Sequence, residues 1–193
     1  MASIITQNSK VQMSTARPGV MQALEHDKTR TGEVIEYIPN ITEVDLGAKI
    51  VSTEFRQCAS EIKDANIIVS GGRGCKTKEG FDQYIRSLAE SMGKYLNQEA
   101  MVGASRLAVE SGFIDRSHQV GQTGQTVKPR LYVAVGISGA VQHLTGMQSS
   151  DIILAINKDS NARIFKVADY GIIGNLEEIV PELINVLNSQ GGD

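Results

Sequence analysis

The sequence predicts an α/β fold over residues 46–193, with a doubly wound, mostly parallel β-sheet and helices on both faces. Two observations predict it. Short apolar runs rich in valine and isoleucine recur along this part of the chain, as expected of strands that are buried on both faces. Amphipathic stretches with helical spacing alternate with these runs, and strands that alternate with helices form parallel sheets.

Six apolar runs predict the strands, namely "AKIVSTEF", "ANIIVS", "EAMVGAS", "RLYVAVG", "DIILAIN" and "ARIFKVA". The stretch "KEGFDQYIRSLAESMG" predicts a helix, because apolar residues such as Phe81, Ile85 and Leu88 fall on one of its faces. For the same reason "NLEEIVPELINVLN" predicts a helix near the end of the chain. Shorter helices are expected in "SRLAVESG" and after the turn in "VAVGISGAVQHLTGM".

The first 45 residues have a different pattern. Residues 1–22 alternate apolar and polar positions up to Arg17-Pro18-Gly19, as one or two short strands would, and residues 23–45 are polar without a sustained period. Such a segment has too few apolar residues to form its own core. We therefore expect residues 23–45 to be a connecting segment and residues 46–193 to be the main domain.

Composition excludes several classes of function. The 193 residues include 21% charged residues and carry a formal net charge of -3, so we expect no nucleic-acid partner. Cys58 and Cys75 form no CxxC pair, which argues against zinc and against a disulfide framework. No apolar run approaches the ~20 residues that cross a bilayer, and the start lacks a secretory signal pattern. We expect a water-soluble protein of a reducing compartment, without a metal and without membrane insertion.

Glycine-rich or polar loops follow five of the predicted strands. They are Gly71–Gly74, Gly103–Arg106, Gly136–Gly139, Asn157–Asp159 and Ala168–Gly171. Because the carboxyl ends of parallel strands meet at one edge of the sheet, where open α/β folds bind ligands, five such loops predict a nucleotide-sized ligand.

Two familiar nucleotide motifs are absent. In "SGGRGCKT", Cys75 stands where a phosphate-binding P-loop needs glycine. In "GISGAVQ", Ser138 replaces the second glycine of the dinucleotide fingerprint. The junction from Gly136 to His143 still has the form of a strand, a small-residue turn and a helix, and the first N–H groups of such a helix bind anions.

Three charged or titratable residues each allow two interpretations. Arg106 falls in the first turn of a predicted helix, where the helix dipole disfavours a cation, so it is either an exposed arginine or faces a group that acquires negative charge. Arg73, among three glycines, poses the same choice. His143 is either a buried, internally bonded histidine or a ligand contact. Likewise "QVGQTGQTV" is either a hairpin loop or a row of neutral donors for a heterocycle.

These loops, in this order, resemble the C-terminal FAD-binding domain of the electron transfer flavoprotein alpha subunit. The matching stretches are "GGRG", "VGASRLAVESGF", "QVGQTGQTVKPRLYVAVGISGAVQHLTGM", "AINKD" and "FKVADYGIIG". The earlier "VQMSTARPGVM" resembles the end of that subunit's N-terminal domain. The resemblance implies that residues 1–22 are the tail of an N-terminal domain and that the chain is a fragment of a longer subunit.

The resemblance also implies which residues bind FAD. Contacts to the isoalloxazine ring are implied for Ser105, Arg106, Gln122, Thr123 and His143, with Arg73 near the ring. Pyrophosphate and linker contacts are implied for Gly136, Ser138, Gly139 and Gln142, and further contacts along the same loops for Val120, Gly121, Gly124, Ile137 and Ala140. Adenosine contacts are implied for Asn157 and Asp169.

The family carries electrons, and the resemblance implies the same role here. An alpha subunit of this kind pairs with a beta subunit, accepts electrons from flavin dehydrogenases such as acyl-CoA dehydrogenases, and passes them to a quinone oxidoreductase or an NADH-linked acceptor. Arg106, His143 and neutral donors would favour an anionic flavin semiquinone. No general base or nucleophile stands out, so we expect an electron carrier without catalytic residues, in the bacterial cytoplasm or the mitochondrial matrix.

Three alternatives remain open from the sequence. One is an enzyme domain of the same fold that uses a nicotinamide cofactor. Another is an interface domain that binds a nucleotide such as AMP structurally. The last is an electron-bifurcating variant of the flavoprotein, which would depend on a second flavin in the other subunit.

Overall fold

The computed structural model describes residues 10, 11, 13, 15, 27–29, 31–39 and 62–190. The chain divides into two compact units, residues 1–57 and 58–193. Every helix and strand of the described residues lies in the second unit. The strand predicted in "AKIVSTEF" and the domain boundary predicted near residue 46 lie outside the described residues.

A five-stranded parallel sheet forms the centre of the second unit. Its strands are β1 (Ile67–Gly71), β2 (Ala100–Ala104), β3 (Leu131–Val135), β4 (Ile152–Asn157) and β5 (Tyr170–Ile173). Their spatial order is β2-β1-β3-β4-β5, and every neighbouring pair is parallel. The chain therefore moves outward from β1 to β2 and then returns to the other side of β1 with β3. This reversal places the switch point of the topology, where such sheets bind ligands, between β1 and β3.

Five α-helices connect or follow the strands: α1 (Lys78–Phe81), α2 (Ser87–Leu96), α3 (Arg106–Glu110), α4 (Val141–Met147) and α5 (Leu176–Gln190). The Thr77 side chain caps α1 by accepting a hydrogen bond from the Gly80 amide at 3.0 Å. A π-helical turn, Asp82–Arg86, joins α1 to α2, and α2 ends at Asn97 in the left-handed conformation. Within the described residues, no helix is long and apolar enough to cross a membrane.

Alternating side chains of the central strands build one core on each face of the sheet. Val69 and Val133 point to the face covered by α2 and α5, where they join Leu88 and Val180. Their neighbours along the strands, such as Ile68 and Tyr132, point to the opposite face and pack with Met147 of α4. Helices on both faces thus bury both sides of the sheet, and the predicted fold class is confirmed.

One predicted strand is wrong. In "ARIFKVA", residues Arg163–Lys166 form a 3₁₀-helix, and the fifth strand begins only at Tyr170. Ile164 turns into the core and Phe165 packs against Gly171, so the apolar residues of this run serve a helical turn over the sheet. The real strand β5 lies at the sheet edge with all four residues exposed, and an exposed edge strand lacks the continuous apolar pattern that identifies the others.

Candidate functional site

A cavity of about 580 Å³ opens at the carboxyl edge of the sheet. Its walls come from the loops that follow all five strands, together with the segment 119–123 and the first turn of α4. This volume falls within the range of small-molecule and cofactor sites, which favour this edge in open α/β sheets. Four of the five loops predicted from the sequence to converge therefore do so. The fifth, Ala168–Gly171, does not, because the loop after β5 begins at Gly174.

The cavity brings together all but three of the residues singled out from the sequence. Those in its wall are Arg73, Ser105, Arg106, Val120, Gly121, Gln122, Thr123, Gly136, Ile137, Ser138, Ala140, Gln142, His143 and Asn157. Gly124 and Gly139 are not among the wall residues, and a Cβ on either would collide with backbone atoms of Gln119 or Ile164. Asp169 lies elsewhere.

Asp169 sits at the opposite end of the strands. Its amide donates to the Ile153 carbonyl at 2.9 Å, and its carboxylate accepts from the Ile153 amide at 2.8 Å. These two bonds fix the residue before β5 to the amino end of β4. The expected loop position of Asp169 is therefore wrong, because it depended on a strand at "ARIFKVA", and the true loop after β5 is Gly174-Asn175.

The loops after β1 and β3 meet backbone to backbone at the switch point. The Gly72 amide donates to the Val135 carbonyl at 2.9 Å, and the Gly74 amide donates to the Gly136 carbonyl at 3.1 Å. A Cβ on Gly72 would strike the Gly136 carbonyl oxygen, and Gly136 itself has a φ of 62°. These glycines therefore let the loops after β1 and β3 pack backbone to backbone, with no side chain between them.

The turn from Gly136 to Ala140 leads directly into α4. Ala140 stands at the N-cap of this helix, and among the described residues no side chain accepts a hydrogen bond from its first N–H groups. Gln142 and His143 belong to the first turn and line the cavity. The arrangement is the strand, turn and helix expected from the sequence, with the helix beginning at Val141.

Arg106 opens α3 on the cavity wall, as expected. Ser105 caps this helix, and its hydroxyl accepts from the Ala108 amide at 3.4 Å. The Arg106 side chain is 66% exposed, and its Nε donates to Glu110 Oε1 at 2.7 Å. A surface pair of this kind contributes at most about 1 kcal/mol. It engages one of the five N–H groups of the guanidinium, and Arg106 lies in the cavity wall.

The segment 119–125 is a compact loop docked on α4. Gln119 is buried, and its side-chain amide donates to Thr123 Oγ1 at 3.0 Å. The Gln122 amide donates to the Gln142 carbonyl at 2.7 Å, which ties the loop to the first turn of the helix. The neutral donors and acceptors of the loop thus lie in the cavity wall beside α4.

His143 is buried, with only 6% of its surface exposed. The Tyr132 hydroxyl lies 3.0 Å from its Nε2, while its Nδ1 is buried and makes no hydrogen bond of standard geometry among the described residues. Burial lowers the pKa of His143 to about 4, although the nearby Val120 carbonyl opposes the shift. At neutral pH the imidazole is therefore uncharged, and it acts through hydrogen bonds alone.

Asn157 holds two loops of the cavity together. Its side-chain amide donates to the Ile137 carbonyl at 2.8 Å, and its side-chain oxygen accepts from the Asp159 amide at 3.0 Å. The loop after β4 is thereby fixed to the turn after β3.

Sequence reasoning missed several wall residues, which are Gly74, Lys76, Leu107, Gln119, Ile156, Lys158, Asp159, Ala162, Gly174, Asn175, Leu176 and Glu177. Lys76 and Glu177 form an ion pair of 2.6 Å that joins the loop after β1 to the start of α5. Four of these residues, Gly74, Gln119, Lys158 and Asp159, belong to segments already singled out from the sequence. A correct position for β5 would have identified Asn175 as its first loop residue.

Comparison with known proteins identifies the relatives of this chain. The family described as electron transfer flavoprotein FAD-binding domain matches residues 61–148. The electron transfer flavoprotein subunit alpha of Thermoanaerobacterium thermosaccharolyticum is 49% identical over 185 residues, which cover 95% of this chain and 54% of the relative. The chain spans about half the length of the curated relatives it matches.

Two further relatives carry more specific names. The acryloyl-CoA reductase electron transfer subunit beta of Anaerotignum propionicum is 42% identical over 191 residues, covering 97% of this chain and 51% of the relative. A probable mitochondrial electron transfer flavoprotein subunit alpha of Cryptococcus neoformans is 48% identical over 151 residues, covering 78% of this chain and 42% of the relative. The resemblance inferred from the loops and the cofactor inferred from it are confirmed.

Proposed function

Residues 61–148 belong to the electron transfer flavoprotein FAD-binding domain family, and from this premise we propose that the cavity at the carboxyl edge of the sheet holds FAD for electron transfer. One observation carries the assignment to this cavity: its wall collects the loops after all five strands. A ligand with a pyrophosphate in the middle and a ring at each end is long enough to need such a series of loops.

The residues in the cavity fit the parts of that cofactor. The turn before α4 and the uncapped start of that helix offer backbone N–H groups to a pyrophosphate. The neutral loop 119–123 offers hydrogen bonds to the polar edge of a flavin ring, and His143 lies in the wall beside it. Asn157 and the loop after β5 would contact the adenosine end of the cofactor. Asp169, bound to the amino end of β4, lies away from this part of the cavity.

Charge in the wall favours an anionic ligand. Four cationic side chains, Arg73, Lys76, Arg106 and Lys158, outnumber Asp159 and Glu177. Lys76 and Glu177 neutralise one another, and Arg106 is paired with Glu110, which leaves Arg73 and Lys158 against Asp159. Bound FAD would supply the capacity to store electrons, and the protein would tune that capacity through charge and hydrogen bonds. A cation such as Arg106 stabilises negative charge that develops near it more than it stabilises a neutral ring.

We propose, further, that the electrons come from flavin dehydrogenases of the acyl-CoA dehydrogenase type and go to a quinone oxidoreductase or an NADH-linked acceptor. The relative named as an electron transfer subunit of acryloyl-CoA reductase supports a donor or acceptor with acyl-CoA chemistry. The alpha-subunit names of other relatives support a beta-subunit partner. A site in the bacterial cytoplasm or mitochondrial matrix remains part of this proposal.

The alternatives predict different observations. A nicotinamide enzyme or a structural AMP site would leave the purified chain without a visible flavin absorption band. Electron bifurcation would require a second flavin in the partner subunit and is therefore tested on the complex. Stepwise reduction of the chain loaded with FAD is the first experiment.

The sharper test substitutes Arg106. We expect Arg106→Ala to lower the first reduction potential of bound FAD by a few tens of mV, since about 1.4 kcal/mol corresponds to ~60 mV for one electron. Arg106→Lys should recover part of the shift, because it keeps the charge but loses the planar donor group. Arg86→Ala is the matched control, since Arg86 forms the same i,i+4 pair with Asp82 at 2.6 Å and lies outside the cavity wall. Equal potentials in Arg106→Ala and the parent would make Arg106 an ordinary surface arginine.

A further inference from the structure

Gln119 begins the loop that lines the cavity, and it is almost wholly buried, with only 4% of its surface exposed. The next residue, Val120, donates from its amide to the Ala104 carbonyl at 2.9 Å, at the end of β2. This bond fixes the start of the loop to the sheet. A buried side-chain amide needs hydrogen-bond partners, because an unpaired buried donor or acceptor costs free energy. The partner of the Gln119 amide therefore identifies what this side chain does.

The loop 119–125 folds back over the Gln119 side chain. The Gln125 amide donates to the Gln119 carbonyl at 2.7 Å, and the Gly121 amide donates to the Gln125 carbonyl at 3.1 Å, so the two ends of the loop are joined. A Cβ on Gly124 would lie 2.9 Å from Cγ of Gln119. The absence of a side chain at Gly124 thus leaves the space that the Gln119 side chain occupies. The closed loop holds the amide of Gln119 in one place.

The amide reaches Thr123, an exposed residue of the cavity wall. Nε2 of Gln119 donates to Oγ1 of Thr123 at 3.0 Å. A hydroxyl group has one hydrogen to donate and two lone pairs that accept. Because the amide occupies a lone pair of Oγ1, this bond does not use the hydroxyl hydrogen. Gln119 therefore leaves Thr123 as a hydrogen-bond donor on the cavity wall.

An ordered donor at this position suits a flavin ring. The carbonyl oxygens and unprotonated ring nitrogens of a flavin accept hydrogen bonds, whereas a hydroxyl that rotates freely presents its hydrogen only part of the time. A donor that is already oriented costs less entropy when the ligand binds. It also stabilises a ring that gains electron density on reduction more than it stabilises the oxidised ring. The orientation of the Thr123 hydroxyl thus affects both affinity and reduction potential.

We propose that Gln119 is a positioning residue of the site, whose side-chain amide donates to Oγ1 of Thr123 and so directs the Thr123 hydroxyl hydrogen to an acceptor atom of the bound ring. This inference rests on the proposed function, because the ring is that of the flavin placed in this cavity. Gln119 acts through Thr123, since Gln119 is buried and Thr123 is exposed.

The first test examines the hydrogen bond in the chain without FAD. In the ¹⁵N-labelled chain, Gln119→Met identifies the side-chain amide signals of Gln119 by their loss. We expect Thr123→Val to shift these signals and to speed their hydrogen exchange with water, because the acceptor is removed. Thr123→Ser keeps a hydroxyl and should preserve the slow exchange. Signals that are the same in Thr123→Val and the parent overturn the proposal, since the amide would then not donate to Thr123.

The second test measures the affinity and the reduction potential of bound FAD in Gln119→Met, Thr123→Val and the double variant. We expect Gln119→Met to weaken binding about fivefold, which corresponds to ~1 kcal/mol, and to lower the potential in the same direction as Thr123→Val. The double variant should match Thr123→Val, because Gln119 acts through the Thr123 hydroxyl. Gln125→Met is the matched control, since Gln125 belongs to the same loop and is not among the wall residues.

The outcomes separate this inference from the proposed function. If Thr123→Val changes the potential and Gln119→Met leaves it at the parental value, the flavin site stands and the role of Gln119 is refuted. If Gln119→Met has the same effect with and without the Thr123 hydroxyl, it acts by disturbing the loop, and the role is refuted as well. If FAD binds and neither variant moves the potential, the ring does not contact Thr123 and this inference fails alone. If the chain binds no FAD, the proposed function fails and this inference fails with it.

Discussion

A single methyl group added at Gly146 tests how the cavity wall is assembled. Gly146 lies in α4, and a Cβ there would be 2.5 Å from both Cα and N of Gly121 in the docked loop. Carbon atoms in contact are separated by about 3.5 Å or more, so the helix and the loop must part by about 1 Å. The two backbones approach so closely because both positions lack a side chain.

Two hydrogen bonds span this contact. The Gln122 amide donates to the Gln142 carbonyl at 2.7 Å, and the Val127 amide donates to the Gly146 carbonyl at 2.8 Å. A separation of about 1 Å would lengthen both beyond effective hydrogen bonding. Overpacking and lost hydrogen bonds lower the free energy of unfolding by about 1–3 kcal/mol in such cases. The higher helix propensity of alanine raises it by up to about 1 kcal/mol. We expect a net loss of about 1–2 kcal/mol in the free energy of unfolding.

The same displacement moves the loop that lines the cavity. We expect Gly146→Ala to weaken FAD binding at least about tenfold, which corresponds to ~1.4 kcal/mol of binding free energy. Flavin fluorescence titration measures the affinity, and urea unfolding measures the stability. Gly32→Ala is the control, because a Cβ on Gly32 meets nothing within 4 Å. Parental affinity and stability in Gly146→Ala would refute the close approach of loop and helix.

Two further predictions concern Asn157 and His143. Asn157→Asp should weaken FAD binding about tenfold, because it replaces the donor to the Ile137 carbonyl by a carboxylate. Asp169→Ala, at the other end of the sheet, should leave the affinity at the parental value. Titration of both variants with FAD measures the two affinities. The pKa of His143, about 4 in the folded chain against 6.5 as its ordinary value, means that the unfolded chain takes up a proton first as the pH falls. The stabilisation that the neutral imidazole contributes above pH 6.5 should therefore decline between pH 6.5 and 4, by up to about 1.4 kcal/mol per pH unit. Urea unfolding at several pH values should show that slope in the parent and a shallower one in His143→Gln.

The sequence predicted the buried strands well and the exposed edge poorly. β1 and β3 have apolar residues on both faces, so their sequences are continuous apolar runs. β4 has the same pattern, with Ile153 and Ile156 buried. β5 is short and exposed, and it follows a helical turn whose apolar residues resemble a strand more closely than β5 does. Because the fifth strand was predicted too early in the sequence, the loop after it was predicted at Ala168–Gly171, which includes Asp169, instead of at Gly174-Asn175.

Side-chain partners in the site were less accessible to sequence reasoning than its loops. Glycine and polar residues after each strand mark the loops, because turns and close backbone approaches require them. The pair formed by Tyr132 and His143 depends on how α4 lies against the sheet, and no local pattern encodes that packing. The pair of Arg106 with Glu110 has the i,i+4 spacing of a helix and was visible in principle once α3 had been predicted.

The residues of the cavity wall range from 73 to 177 along the chain. A ligand can therefore make all of its contacts only when the second unit is folded over that whole range. An intermediate that has released either α5 or the loop after β1 keeps only part of the binding surface. Such a form gains little from the ligand, so a bound cofactor stabilises the complete fold over every partly open one, by about 2.7 kcal/mol when the free ligand is at 100 times its dissociation constant. Binding of the ligand in the cavity would thus raise the midpoint of thermal unfolding and slow hydrogen exchange even in parts of the strands that do not contact the ligand.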